Sequence, residues 1–362
     1  MITTIITTYK RPHLLKRALK SVLNQTYPHF KVCVYDNASN DETEEMMREF
    51  MKADSRIEYH KHPKNIGMMA NYAYGYSRID TPYFSFLSDD DYLLPWFYET
   101  ALEGFNKYPD AAFSACGVLA VDINNNVVAD PLSGWRREGY YSVPEGIFEM
   151  ISSKYTFPPP QGVLFQYQLV KDISPDWSKE IQLMWDPDYL IQIASHLPIV
   201  ISKKIASIFF AHEGAFSTGF YKRILRSAKF LDEYFAATSK LLQRVIDNPH
   251  IADRVKSKIR KTYVKMLGEE IGIYMRYFIE NAYYSESYYS GKILLKNFGF
   301  NVKVLNLLIE TISRHKFPRF SRKAGKLISI LKRKTQRFRK PKENPLSKWR
   351  SFEEHKDYAQ SI

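Results

Sequence analysis

At 362 residues and 45% hydrophobic, the chain can bury a large core with a smaller companion, which excludes a disordered or low-complexity protein. Its two cysteines, Cys33 and Cys116, lie inside apolar runs, excluding a disulfide framework or a cysteine zinc site and reading as small buried thiols. The net charge of +13 resembles a nucleic-acid signal until it is located: thirteen Lys and Arg fall between Arg314 and Lys342, where there is no Asp or Glu, so the remainder carries 39 basic and 39 acidic residues. A charge confined to one terminal segment suits a tether to anionic lipid better than a groove tracking a nucleic-acid backbone, and no nucleic-acid partner is expected.

The opening "MITTIITTYK" reads as a strand rather than a signal peptide, and no apolar run reaches the roughly 18 residues of a membrane span, which predicts a cytoplasmic protein. The next elements alternate. Strands are expected at Ile2 to Thr8, Lys31 to Tyr35, Arg56 to Tyr59 and Tyr83 to Leu87, with helices at Pro12 to Asn24, Asp41 to Met51 and Met68 to Ser77. Such alternation predicts an α/β fold, a mostly parallel sheet with flanking helices. Sites in such sheets lie at the carboxyl ends of strands, so "TTYKRP", "DNASND" and "SDDD" should meet at one edge. Asp41 and Glu44 have the spacing of a helix capping box.

From about residue 110 to 170 the pattern is irregular, as expected of strands and loops that build a second pocket, and beyond Thr218 it turns to long charged helices. Three segments follow: 1–220, a helical region 221–313 and a basic tail 314–362. In the tail, "GKLISILKRKTQRF" reads either as an interfacial amphipathic helix, at the inner face of the plasma membrane, or as a solvated helix packing on its own protein. The Tyr-rich stretch Ile273 to Gly291 reads as helical packing rather than a sugar-stacking face.

Three consecutive carboxylates, Asp89, Asp90 and Asp91, close an apolar run and cannot all be desolvated cheaply, so they either sit in water at a turn or are held by a cation. Taken with "TTYKRPHLLKRALKSVLNQTY", "DNASNDET", "NIGMMANYAYG" and "FLSDDD" in this order, the chain resembles family 2 glycosyltransferases of GT-A fold, over about residues 1 to 220. The resemblance implies Thr8, Tyr9, Arg11, Asp36, Asn65, Gly67 and Asn71 as nucleotide-sugar-binding residues, with Asp89 toward ribose and Asp36 receiving a uracil-type base. It implies a divalent metal, Mn²⁺ or Mg²⁺, on Asp90 and Asp91, since such a cation bridges a diphosphate to protein oxygens and neutralises the leaving group. Ser88 replaces a common first Asp of this motif, leaving open which carboxylate touches the metal.

More weakly, "WDPDYL" and "AHEGAFS" continue the resemblance. They imply Asp188 as the general base, with Asp186 in reserve, and His212 as a metal or diphosphate contact on a closing loop where Ser217 adds a phosphate hydrogen bond. Neither a "QxxRW" motif nor a membrane span is present, which implies a non-processive enzyme of hexosyltransferase type. The expected partners are a nucleotide-sugar donor, UDP-linked, and a saccharide or lipid-linked glycan acceptor in cell-surface glycan assembly; a homo-oligomer is compatible with the sequence. A sugar nucleotidyltransferase would want a Gly-rich first loop, which "TTYKRPH" lacks, and a non-catalytic carbohydrate-binding module would not need metal, base and closing loop together.

Overall fold

A computed structural model of the chain describes residues 1–151, 157–215, 227, 230–298 and 302–316. Among them, in chain order, the strands are β1 (Ile2–Thr8), β2 (Phe30–Asp36), β3 (Ile57–Lys61), β4 (Tyr83–Ser88), β5 (Tyr92–Leu93), β6 (Phe113–Val121), β7 (Val127–Ala129), β8 (Gly139–Tyr141), β9 (Val163–Gln166) and β10 (Ile199–Phe210). The helices are α1 (Pro12–Leu23), α2 (Thr43–Ala53), α3 (Met68–Tyr76), α4 (Phe97–Lys107), α5 (Glu145–Met150), α6 (Tyr167–Val170) and α7 (Trp185–Ala194). A helical region follows: α8 (Phe230–Asp247), α9 (Asp253–Glu280), α10 (Tyr284–Phe298) and α11 (Val302–Lys316).

The strands make one sheet in the order β3-β2-β1-β4-β9-β6-β10-β5, with β7 beside β6 and β8 beside β10. The pairs β1 with β2 and β4, β2 with β3, and β6 with β10 are parallel; β9 joins the two halves antiparallel to both β4 and β6. This is the mixed, mostly parallel α/β architecture expected of the chain. Because side chains alternate across a strand, the central strands feed two cores. Ile2, Ile6, Val32, Val34 and Leu87 pack with α1, α2 and α4, while Ile5, Cys33, Tyr35, Phe84 and Phe86 pack with α3, α5, α7 and the helical region.

Local sequence explains the flanking elements. Pro12 opens α1, where its missing N–H costs nothing, and Leu15, Ala18, Leu19 and Val22 form one buried face at helical spacing. The capping box at α2 does not form. Asp41 accepts the Thr43 amide at 3.0 Å, but Glu44 turns outward to Arg48 and Lys61, where two cations outbid one amide. In the Tyr-rich stretch, Tyr274 is buried and faces Glu270, whereas Tyr283 and Tyr288 are exposed. The expected boundary near residue 220 and the tail beyond Lys316, with its amphipathic segment, lie outside the described residues, as does Ser217.

β10 carries a register break between Ile201 and Ser207, and Gly117 of β6 pairs with Ile205 inside it. A Cβ at Gly117 would stand 2.8 Å from the Lys203 carbonyl oxygen and 3.0 Å from that of Lys204, backbone atoms that cannot swing away. Gly117→Ala should therefore destabilise the protein by about 1–3 kcal/mol, read as a lower urea midpoint with an unchanged slope.

Candidate active site

The carboxyl ends of β1, β2, β4 and β10 bring four polar segments to one edge. Ser88 ends β4 opposite Thr7, and Asp36 ends β2 opposite Thr8. Left-handed backbone at Lys10, Ala38, Asn40 and Gly67 is concentrated in the loops that follow. Such conformations cost a non-glycine residue of order 1–3 kcal/mol and persist where a loop is shaped for a ligand. Lys10 donates its amide to Ser39 Oγ at 2.8 Å, tying the first two loops together.

The three aspartates are separated by their partners. Asp89, fully buried, takes the Thr8 hydroxyl on Oδ2 at 2.7 Å and Arg11 Nη2 beside Oδ1 at 2.6 Å. Burial raises its carboxyl to about 7, against the pull of Arg11. Asp90 Oδ2 meets Arg11 Nη1 at 2.8 Å and His212 Nε2 at 3.0 Å. Asp91 accepts the Phe210 amide on Oδ1 at 2.9 Å, and burial pushes it well above the ordinary carboxyl range. Arg17 lies between the rings of Tyr92 and Phe210, at 4.8 and 4.3 Å, and donates to the Asp90 carbonyl oxygen. The segment leading to His212 is thus tied to β4 through Asp90, Asp91 and Arg17.

Asp36 is fully buried and spends both oxygens locally: Oδ1 accepts the Ser39 amide at 2.9 Å and its hydroxyl, and Oδ2 accepts the Tyr59 hydroxyl at 2.8 Å. The neighbouring Asn37 accepts the Ile66 amide and donates to Asn65 Oδ1, which also takes the Gly67 amide. Asn71, 2% exposed, is held by His62 and by the Tyr35 carbonyl oxygen. It braces α3 against β2. Tyr9, Asn65 and Gly67 are exposed at the edge.

A second group comes from the other half of the sheet. Asp186 and Asp188 lie in the first turn of α7. Trp185 packs on Tyr72 with ring centroids 5.1 Å apart, and the Tyr72 hydroxyl is 3.3 Å from Ser88 Oγ, which sets the start of α7 beside the end of β4. Asp188 is fully buried and takes Gln192 at 2.7 Å and Arg244 of α8 on one oxygen, Oδ2. Burial raises it to about 6 against the pull of Arg244. Asp186 is partly exposed, and burial of its carboxyl raises it to about 7; no side chain among the described residues is paired with it. Its own backbone amide pulls the other way.

Among the described residues no three His, Cys, Asp or Glu side chains form a complete metal cage. One carboxylate oxygen and one imidazole nitrogen, on Asp90 and His212, do converge. That pair fits a cation which takes its remaining ligands from substrate phosphates and water.

Residues 3–153 match the family model described as glycosyl transferase family 2. They belong to that family. The family 2 domain is 29% identical over 116 residues to a GalNAc(5)-diNAcBac-PP-undecaprenol beta-1,3-glucosyltransferase of Campylobacter jejuni, covering 32% of this chain and 38% of that protein. It is 27% identical over 132 residues to an uncharacterized glycosyltransferase of Methanocaldococcus jannaschii, 36% of this chain and 46% of the other. The match thus spans less than half the length of these relatives. In three dimensions the chain resembles TarS 1-349 of S. aureus in complex with UDP-GlcNAc, with a TM-score of 0.58 at 13% identity over 90% of this chain and 92% of that one. It also resembles the mannosyltransferase PcManGT of Pyrobaculum calidifontis in complex with GDP-Man and Mn²⁺, with a TM-score of 0.50 at 11% identity over 88% and 87%. At these identities the two structures establish the GT-A-like fold.

Sequence reasoning had singled out most of the strand-end residues but missed Arg17, Asn37, Tyr59 and Arg244. Asn37 sits inside the quoted "DNASND" and could have been read; the other three act through partners far away in sequence. Tyr59 is testable now. Tyr59→Phe removes a donor from the buried Asp36 carboxylate and should cost about 1–3 kcal/mol, measured as a lower urea midpoint.

Proposed function

We propose that the chain is a glycosyltransferase that moves a sugar from a nucleoside-diphosphate donor to a saccharide hydroxyl with inversion, through a domain of residues 1–220 followed by the helical region 221–313 and the tail 314–362. The observation that carries this reading is the pair Asp90 and His212, converging at the strand end against which Trp185 and Tyr72 set the first turn of α7.

The first two loops, shaped by Asp36 and edged by Tyr9, Asn65 and Gly67, would receive the base and ribose, with Asp89 held toward the ribose by Thr8 and Arg11. Asn71 supports this wall from within. Asp90 and His212 would hold a divalent cation, Mn²⁺ or Mg²⁺, and Asp91 would fix the strand that presents His212. Such a cation, when bound, neutralises charge on the departing diphosphate. Arg11 lies against the same carboxylates and adds positive charge to the diphosphate side.

The general base is Asp186 rather than Asp188. A base must leave its carboxylate free for the acceptor O–H and titrate near the working pH. Asp186 is partly exposed, lacks a paired side chain among the described residues and is raised to about 7; Asp188 is enclosed by Arg244 and Gln192. The acceptor proton passes to Asp186 as the acceptor oxygen bonds to the anomeric carbon and the bond from that carbon to the diphosphate breaks. The nucleoside diphosphate leaves.

A UDP-linked donor, a single transfer per encounter and a lipid-linked glycan acceptor at the cytoplasmic membrane face complete the proposal. The solved neighbours hold UDP-GlcNAc and GDP-Man, and the Campylobacter relative is named for an undecaprenol-linked acceptor. The basic tail supplies positive charge for an anionic surface. No helix among the described residues is long and apolar enough to cross a membrane.

Calorimetry with UDP and with GDP, each with and without Mn²⁺, tests the donor site. Metal-dependent binding of one nucleotide, lost in Asp90→Asn, is expected; binding indifferent to both metal and Asp90 would remove the metal assignment. For the base, Asp186→Asn should lower transfer by roughly 100-fold or more while sparing nucleotide affinity. Because the active form is the carboxylate, the wild-type rate should rise with pH through about 7 and then level. Asp186→Asn should erase that rise, and a rise that survives it would assign the base elsewhere.

A further inference from the structure

The mechanism above leaves unused an ion network that is anchored on the buried Asp188 and opens outward to solvent. Arg244, near the end of α8, extends Nη1 to Asp188 Oδ2 and Nη2 to Asp176 Oδ2. Lys240, one turn earlier, reaches Asp176 at 2.9 Å and Glu180 at 3.1 Å. Beyond the helix, Asn248 donates to the Ser195 carbonyl oxygen at 3.1 Å, at the other end of α7. The helical region therefore grips α7 at both its first turn and its last, and grips the segment 176–180 that precedes it.

Both gripped segments face the family 2 domain. Trp177, next to Asp176, lies nearly parallel to Tyr72 and 5.7 Å from Trp185. Trp185 and Tyr72 in turn connect to Ser88 at the end of β4. One planar guanidinium thus bridges two carboxylates in separate segments, and Asp186 stands between Trp185 and the Asp188 anchor. Lys could offer only a point charge there. The exposure of the charges decides how much the bridge matters. The Asp188 side chain is 1% exposed and that of Arg244 26%, so this is not a solvated surface pair of negligible effect. Removing the guanidinium would strand a buried carboxylate, whose Oδ1 already lacks a hydrogen-bond partner among the described residues.

We propose that Arg244 is a positioning residue for the transfer reaction: from the helical region it clamps Asp176 and Asp188, and so fixes Asp186 and the Trp177 wall against the donor site. The proposal rests on the reading of Asp186 as the base. It assigns the helical region a part in the acceptor half of the site and none in nucleotide binding.

The test uses the full chain carrying Arg244→Met, Arg244→Lys, or Arg244→Met with Asp188→Asn. Hydrolysis of UDP-GlcNAc and of GDP-mannose is followed as nucleotide release, calorimetry gives UDP and GDP affinity with Mn²⁺, and hydrogen exchange is followed over residues 176–194. Arg244→Met should slow hydrolysis by roughly 10- to 100-fold, as expected for a misplaced catalytic group. Nucleotide affinity should hold and exchange over 176–194 should quicken while β1 to β4 stay protected. Arg244→Lys should fall between, and the double variant should regain most of the rate because the stranded charge is gone. An unchanged rate, or affinity falling in step with rate, would overturn the proposal. If the wild type neither binds nor hydrolyses either donor, the functional reading fails, and unchanged exchange in Arg244→Met would separately remove the clamp.

Discussion

Asp89, Asp90 and Asp91 leave a buried strand side by side, and the electrostatic cost of that arrangement organises the whole site edge. Isolated in a low-dielectric interior, three such charges would each cost several kcal/mol or protonate. Each instead draws in a different element: Asp89 the loop after β1 through Thr8 and Arg11, Asp90 the segment after β10 through His212, and Asp91 the last residue of β10 through the Phe210 amide. β10 lies three places from β4 across the sheet, yet β5, which follows Asp91 directly, pairs antiparallel with its end, Tyr92 opposite Ile208 and Leu93 opposite Ser207. Strand pairing brings the two segments together, and the carboxylates fasten them.

This arrangement also decides how the three divide their work. Asp89 and Asp91 have their oxygens turned to Thr8, Arg11 and the Phe210 amide, and are pushed toward the neutral form by burial. Asp90 stands nearer the opening, where its oxygen meets one fixed cation, Arg11, and one imidazole, that of His212. A divalent cation arriving with a diphosphate would compete with Arg11 for that oxygen, and Arg11 could then turn to the phosphate. The charge balance of the edge would thus hold with or without the ligand.

The donor half was legible in the sequence because its parts are local. Strand, loop and helix starts in residues 1 to 91 follow hydrophobic periodicity, and the strand-end rule then gathers Thr8, Asp36 and Asp89 without any knowledge of side-chain direction. What periodicity cannot show is how each carboxylate is spent. Asp36 looked available for a base, yet Ser39 and Tyr59 take both its oxygens; Asp91 looked like a ligand, yet it holds a backbone amide. The acceptor half was less legible still, because it is assembled over long separations. Arg244 meets Asp188 across 56 positions and Asp176 across 68, and no spacing rule reaches that far.

The choice between Asp186 and Asp188 shows the same limit from the opposite direction. They are two residues apart on one helix, and at 3.6 residues per turn their side chains leave the axis about 200° apart, so one environment cannot serve both. Whichever faces the helical region is enclosed by Arg244 and Gln192, and the other is turned away from that clamp. "WDPD" fixes that alternation but not its phase. The phase is set by α8, which supplies Arg244 at one end of α7 and the following Asn248 at the other. The assignment of the base therefore depends on a region that holds none of the family's motifs.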